Sequence, residues 1–195
     1  MSAPRLLVAQ FVTDTHEANC WLAACADTRQ AIIIDVPTDD PRVFQYLDAH
    51  GLRLTAVFIT HAHYDHVDGL EALLARHPVP VYAAAPLPGG IATVVVKAGH
   101  EITLGAAKGR VVETPGHTPE SISLVLPGAV FTGDALFCGS IGGTTNDRDK
   151  QLEINTVREQ LFSLPDDWLI CTGHGPSSTI GVEKEFNPFF NPPGK

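Results

Sequence analysis

The run His61-Ala62-His63-Tyr64-Asp65-His66 places three imidazoles and one carboxylate within six residues, directly after the apolar segment Ala56-Val57-Phe58-Ile59. Imidazole is a common ligand for zinc, iron and other borderline metals, and a carboxylate completes such a set. A cluster this dense points to metal chemistry rather than to packing or to a solvated loop rich in histidine.

Three further segments share one local design, a short apolar run followed by a polar residue beside glycine. They are Thr114-Pro115-Gly116-His117-Thr118, Thr132-Gly133-Asp134 and Thr172-Gly173-His174-Gly175. Glycine lets the backbone turn away sharply, so the neighbouring side chain can point into a shared cleft. Singly, His117 and His174 read as loop residues and Asp134 as a turn or helix cap. Together with the cluster, four strand ends that each offer a ligand point to one composite site.

The elements that must position these residues follow from the apolar pattern. Strands are predicted over Leu6–Val12, Cys20–Ala26, Ala31–Ile34, Ala56–Ile59 and Val79–Ala83. Further strands are predicted over Ala92–Val96, Glu101–Leu104, Arg110–Glu113, Ile122–Leu126, Val130–Thr132 and Trp168–Cys171. A helix capped by Asp39 or Asp40 carries Val43, Phe44 and Leu47 and stops at Gly51. A second carries Val67, Leu70, Leu73 and Leu74, and a last one Ile154, Val157 and Leu161. The tail, rich in Pro and Asn, reads as loop. Strands dominate with helices interspersed in both halves, which predicts an α+β arrangement of two sheet layers with helices outside.

Length and composition narrow the function. The chain has 195 residues with no repeat or internal linker, so one domain over 1–195 is expected. Apolar residues make up 44% and charged residues 18%, as in an ordinary globular protein. The formal net charge of −9 argues against nucleic acid and against docking to an anionic membrane. No apolar run reaches the roughly 18 residues of a membrane span, and the patch Leu6–Ala9 is too short for a signal segment, so a cytoplasmic protein is expected. Cys20, Cys25, Cys138 and Cys171 are scattered, which suits reduced thiols. Cys138 is expected to be a small buried hydrophobe.

The order His-x-His-x-Asp-His, Gly-His, Thr-Gly-Asp and Gly-His-Gly resembles the metallo-β-lactamase superfamily. Within it the chain is most similar to the short, single-domain, glyoxalase II-like (hydroxyacylglutathione hydrolase-like) group. Asn19-Cys20-Trp21-Leu22, Leu136-Phe137-Cys138-Gly139-Ser140-Ile141-Gly142, Gly175-Pro176-Ser177-Ser178-Thr179-Ile180-Gly181 and Asn187-Pro188-Phe189 all look like that group. The resemblance implies an αββα sandwich, two mixed sheets flanked by helices. It implies that His61, His63 and His117 hold one divalent metal ion, that Asp65, His66 and His174 hold a second, and that Asp134 bridges them. Zinc is the expected metal, with iron or manganese also suited to such ligands. The activity it implies is hydrolysis of a thioester of the S-lactoylglutathione type by a metal-bridging hydroxide, with Asp65 and Asp134 as catalytic groups. The partner expected is a small thioester, glutathione-linked in that family; the oligomeric state is open.

The long family members carry a separate C-terminal helical domain that contacts glutathione, and no such domain is expected here. Two other activities use the same ligands. A persulfide dioxygenase needs one iron on His61, His117 and Asp134, a 2-His-1-carboxylate set. A lactonase or promiscuous ester hydrolase needs the dinuclear centre. Gly143-Thr144-Thr145 stands where both related groups often have Arg-Thr-Asp. Asp35 reads either as an orienter of the site or as a turn cap, and Tyr64 either lines the pocket or packs beside the cluster. His16, His50, His77 and His100 lie away from the motifs, and surface or ordinary structural roles are expected for them.

Overall fold

The computed structural model describes residues 4–192. Its first half forms strands β1 (Leu6–Val12), β2 (Asn19–Cys25), β3 (Gln30–Ile34), β4 (Arg53–Phe58), β5 (Val81–Ala83) and β6 (Val94–Val95), with helices α1 (Pro41–Ala49), α2 (Tyr64–Val67) and α3 (Leu70–Arg76). The second half forms β7 (Glu101–Leu104), β8 (Ala107–Glu113), β9 (Ile122–Leu126), β10 (Ala129–Gly133), β11 (Leu169–Thr172) and β12 (Ser178–Thr179), with α4 (Asp147–Gln160) and α5 (Ile180–Phe186). One sheet has the order β1-β2-β3-β4-β5-β6 and the other β12-β11-β10-β9-β8-β7. Both are mixed: β3 to β6 run parallel while β1 and β2 are antiparallel, and β10 and β11 are the parallel pair of the second sheet.

The layering follows from strands that are apolar on both faces. In β2, Trp21, Ala23 and Cys25 face the core between the sheets, while Cys20, Leu22 and Ala24 join Val43, Leu47, Leu70 and Leu73 under α1 and α3. The same period of two splits β10, where Phe131 faces the other sheet and Val130 packs with Ile154, Val157 and Ile180 of α4 and α5. The result is helices, sheet, sheet, helices, the expected αββα sandwich.

Strand direction gathers the motifs at one edge. β8 and β10 are each antiparallel to β9, so they run in the same sense, and β11 is parallel to β10. Their carboxyl ends lead into His117, Asp134 and His174 respectively. In the other sheet the parallel β3 and β4 end at Asp35 and at Thr60-His61. Backbone bonds from Ile122 N–H to the Thr60 carbonyl (2.9 Å) and from Asn19 N–H to the Gly173 carbonyl (2.8 Å) join the two sheets at this edge.

Of the two caps expected for α1, Asp40 is the one that serves, accepting from Arg42 N–H at 2.9 Å. Several elements differ from the sequence reading. The helix after the cluster is broken into α2 and α3 at Asp68-Gly69. A Cβ at Gly69 would lie 2.2 Å from the Thr38 carbonyl carbon, so the chain turns where that close approach leaves no room for a side chain. The tail expected as loop carries β12 and α5. The buried Glu183 of α5 accepts from Gly139 N–H (2.9 Å), Ser178 Oγ (2.5 Å) and Asn187 Nδ2 (2.7 Å), which folds the tail against the loop after Asp134. Cys138 lies in that loop and is exposed rather than buried. All four cysteines are free thiols.

Candidate metal centre

All seven residues singled out from the sequence meet at this edge. One potential ligand atom each from His61, His63 and His117 lies within 4.8 Å of the others, and the same holds for His61, His66 and Asp134, and for Asp65, His66 and His174. Asp134 stands at the middle of the set. Its Oδ1 is 3.3 Å from His66 Nε2, and its Oδ2 is 3.5 Å from His117 Nε2 and 3.6 Å from His174 Nε2. Asp65 Oδ2 lies 3.4 Å from His174 Nε2.

The imidazoles are oriented from outside. His61 Nδ1 lies 3.1 Å from Thr60 Oγ1, and His66 Nδ1 2.8 Å from Asp35 Oδ2. His117 Nδ1 lies 2.7 Å from the Gly143 carbonyl, and His174 Nδ1 3.1 Å from the His16 carbonyl. A carbonyl or carboxylate can only accept, so Nδ1 of His66, His117 and His174 carries a proton and Nε2 is the nitrogen aimed inward. Thr60 donates its hydroxyl to Asp35 at 2.8 Å, so its oxygen accepts from His61 in the same way. His63 is turned around: its Nδ1 faces His61 Nε2 at 3.1 Å and His117 Nε2 at 2.9 Å.

This donor set fits divalent cations. His66 Nε2 and Asp134 Oδ1 are buried with no hydrogen-bond partner, an arrangement that is costly unless a cation satisfies both. Burial, then neighbouring imidazolium charge, holds His61 down to about 2, so its lone pair is free at any ordinary pH. Burial likewise lowers His63. Burial opposes charge on His66 as well, but the Asp35 and Asp134 carboxylates outweigh it and push the imidazole above its usual range. Burial works against the Asp134 carboxylate too, and contact with His66 outweighs it and keeps the carboxyl below the usual range.

Space is reserved for this centre. A Cβ at Gly173 would lie 2.0 Å from Asp134 Oδ1 and 3.0 Å from His66 Cε1, so only glycine fits between them. Asn19 Nδ2 donates to the carbonyls of Thr172 (3.0 Å) and Gly175 (2.9 Å), and Trp21 Nε1 to that of Thr172 (2.8 Å), which pins the loop carrying His174. A cavity of about 400 Å³ opens beside the site, lined by His61, Ala62, Ala84, Pro86, Leu87 and Glu120 among others. A hollow of about 390 Å³ at Phe44, Leu52, Arg53 and His77 lies at the opposite end of β4 and holds no ligand set.

The ambiguous residues now have places. Asp35 orients the site: it accepts from Thr60 N–H (2.8 Å), Thr60 Oγ1 and His66 Nδ1, and holds a left-handed φ of 58° to do so. Tyr64 is 53% exposed and hydrogen-bonded to His16 Nε2. His16 is therefore not remote from the site; its backbone carbonyl supports His174, which side-chain reading could not reveal. Gly143 contributes a carbonyl to His117, and Thr145 Oγ1 and Asn146 Nδ2 bond Asp149 at 2.9 and 2.8 Å at the start of α4. Missed entirely was Glu153, a buried acid on the apolar face of α4, one residue before Ile154 and four before Val157.

The fold is that of a known group. Residues 13–174 match the metallo-beta-lactamase superfamily, and the chain belongs to it. Its relatives include a hydroxyacylglutathione hydrolase of Alkalilimnicola ehrlichii, 40% identical over 79% of this chain and 60% of that protein. The hydroxyacylglutathione hydrolase GloC of Haemophilus influenzae is 31% identical over 90% of this chain and 93% of that one. The crystal structure of ETHE1 from Myxococcus xanthus superposes with a TM-score of 0.84 at 33% identity, covering 93% of this chain and 83% of that one. Against the first of these relatives the chain thus spans 60% of the length. Among the described residues no helix is long and apolar enough to cross a membrane.

Proposed function

We propose that this chain is a metal-dependent hydrolase of small thioesters, of the glyoxalase II type. The observation that carries the reading is the inward convergence of imidazole nitrogens on Asp134, each ring but His63 being fixed through its outer nitrogen. His61, His63 and His117 would hold one divalent ion, Asp65, His66 and His174 a second, and Asp134 would serve both. Zinc suits this mixed nitrogen and oxygen set, as do iron and manganese. Bound there, such ions supply Lewis acidity, which lowers the pKa of water and polarises a carbonyl.

The chain's own groups do the rest. Asp65, on the solvent side of the set, orients the attacking water by accepting one of its hydrogens. Asp134, buried and held in its anionic form, keeps His66, His117 and His174 at fixed mutual distances. Water adds to the thioester carbonyl, the carbon–sulfur bond breaks, and a carboxylic acid and a thiol leave. The cavity beside His61 is lined mainly by Ala, Pro, Leu and Ile side chains, which suits an apolar acyl group. Lys184 of the tail is engaged by Asp166 at 2.6 Å and does not stand free to meet a glutathione carboxylate. S-lactoylglutathione is accordingly the test substrate, and the chemistry proposed is that of the thioester. The catalytic domain over 1–195 is proposed to act in the cytoplasm.

A second reading, a mononuclear-iron persulfide dioxygenase on His61, His117 and Asp134, draws on the close superposition with ETHE1. Metal analysis with parallel assays separates the two: thioester cleavage with two metals supports the hydrolase, and oxygen uptake with glutathione persulfide and one iron supports the dioxygenase.

A further inference from the structure

Strand β5 ends at Ala83, and Ala84 and Ala85 follow it, a run of small side chains at the edge where the ligands gather. They leave room for the cavity of about 400 Å³ beside His61. Ala62, between the first two histidines of the cluster, forms one wall. Glu120, from the turn after His117, forms another, and Leu87 closes the space from the loop after β5. His61 belongs to both cavity and centre, whereas Asp65, His66 and His174 do not line the cavity. The space therefore opens on the triad of His61, His63 and His117 and not on the other.

Its chemistry is narrow. Apart from His61 and Glu120, every lining side chain is alkyl. Both His61 nitrogens are engaged, Nδ1 with Thr60 Oγ1 and Nε2 on the side of His63, each at 3.1 Å. Glu120, an exposed residue, is thus the one side chain left to bond a hydroxyl on the acyl group. At about 400 Å³ the space falls in the range that encloses whole small-molecule ligands, whereas a lactoyl group ends in a single methyl. Past Ala84 and Glu120 a second hollow of about 250 Å³ continues, lined by Lys97, Glu113 and Pro115 among others. There the surface is charged, with the acids of Glu113 and Glu120 against the single Lys97. The apolar stretch thus runs from His61 to Glu120, and a carboxylate carried that far meets like charge.

We propose that the acyl side of the substrate is an unsubstituted alkyl chain longer than lactoyl, of the butanoyl to octanoyl class, housed in this cavity. Ala85 sets the size of the space and Glu120 turns away acyl groups that end in a carboxylate. The inference rests on the thioester hydrolase reading above and sharpens its substrate class.

The test is kcat/KM of the metal-loaded full chain over a series of glutathione thioesters: acetyl, lactoyl, butanoyl, hexanoyl and succinyl. A methylene buried in an apolar cavity is worth about fourfold, so hexanoyl should exceed acetyl by roughly tenfold or more. Butanoyl should exceed both lactoyl and succinyl. Ala85→Leu fills the cavity and should cut the hexanoyl-to-acetyl ratio by roughly tenfold, with metal content by elemental analysis still native. Glu120→Gln should raise succinyl relative to butanoyl severalfold. A native series that is flat, or that favours lactoyl over butanoyl and hexanoyl, would overturn the proposal whatever the variants do. So would an Ala85→Leu chain of native metal content that keeps the native ratio. If the metal-loaded native chain cleaves no member of the series, the hydrolase reading itself fails; cleavage of all members at one rate leaves that reading standing and removes only this inference.

Discussion

Asp35 Oδ2 lies 2.8 Å from His66 Nδ1, with both side chains shut off from solvent. This pair, both of whose residues follow strands of the first sheet, fixes which His66 nitrogen faces Asp134 of the second. Asp35→Ala should weaken metal binding roughly 10- to 100-fold, the effect seen when the group behind a ligating imidazole is removed. It should also destabilise the metal-free protein by about 3–5 kcal/mol, because His66 loses a buried partner. A competition titration with a zinc chelator and a denaturant unfolding curve check both; unchanged metal affinity would show that His66 is not a ligand.

Gly173→Ala tests the space kept for the centre. The new methyl would meet Asp134 Oδ1 at 2.0 Å, so either the carboxylate or the loop must move. Metal stoichiometry should fall below the native value while far-ultraviolet circular dichroism stays native, since the clash is confined to a loop. Full metal content by elemental analysis would contradict the geometry.

The loop bearing His174 is held by Asn19, whose side-chain amide reaches the Thr172 and Gly175 carbonyls at 3.0 and 2.9 Å. Asn19→Ala takes one donor from each of these carbonyls, which Trp21 Nε1 and Gln10 Nε2 still serve, at a cost of about 1 kcal/mol. Thermal unfolding should register that loss. Metal affinity should fall as well, because His174 is presented by the same loop.

The pH dependence of the metal-free protein has a sign set by two imidazoles. His66 has a raised folded pKa, so it binds a proton that the unfolded chain has released; its contribution is complete below about pH 6.5 and is lost as pH rises through its raised value. His61, lowered to about 2, acts oppositely: below about pH 6.5 the unfolded chain takes up a proton that the folded one refuses, so stability falls on acidification. Metal-free stability should therefore peak near neutrality in urea titrations at several pH values. In Asp35→Asn the decline on the alkaline side should flatten, and an unaltered profile there would contradict the Asp35–His66 coupling.

Much of this was legible in the sequence because the ligands sit at strand ends, where an apolar run, a glycine and one polar residue coincide. Both sheets and the sandwich followed from runs such as Ala31-Ile32-Ile33-Ile34, whose two apolar faces need a layer on each side. What stayed hidden depends on contacts distant in sequence. Asp35 read equally as a turn cap until His66 was placed beside it, 31 residues away. His16 acts through its backbone carbonyl, which no side-chain pattern encodes. The tail read as loop because its helix is short and is held by Glu183, a residue whose partners lie as far off as Gly139. Cys138 was expected inside, but the loop that carries it is fastened through the neighbouring Gly139 N–H and Ser140 carbonyl, leaving the thiol in solvent. Glu153 did leave a signal, an acid at an apolar position of α4, but the packing of Gly116 against its backbone shows only in the fold.

The central claim is that Asp134 gathers two ligand triads into one hydrolytic metal centre. Elemental analysis of the purified chain and of Asp134→Ala, paired with an S-lactoylglutathione assay on the same samples, tests it most directly. The account predicts two metal ions per native chain with metal-dependent thioester cleavage, and loss of both together in Asp134→Ala. An Asp134→Ala chain that keeps two metals and full activity, or a native chain with two metals that cleaves no thioester, would contradict it.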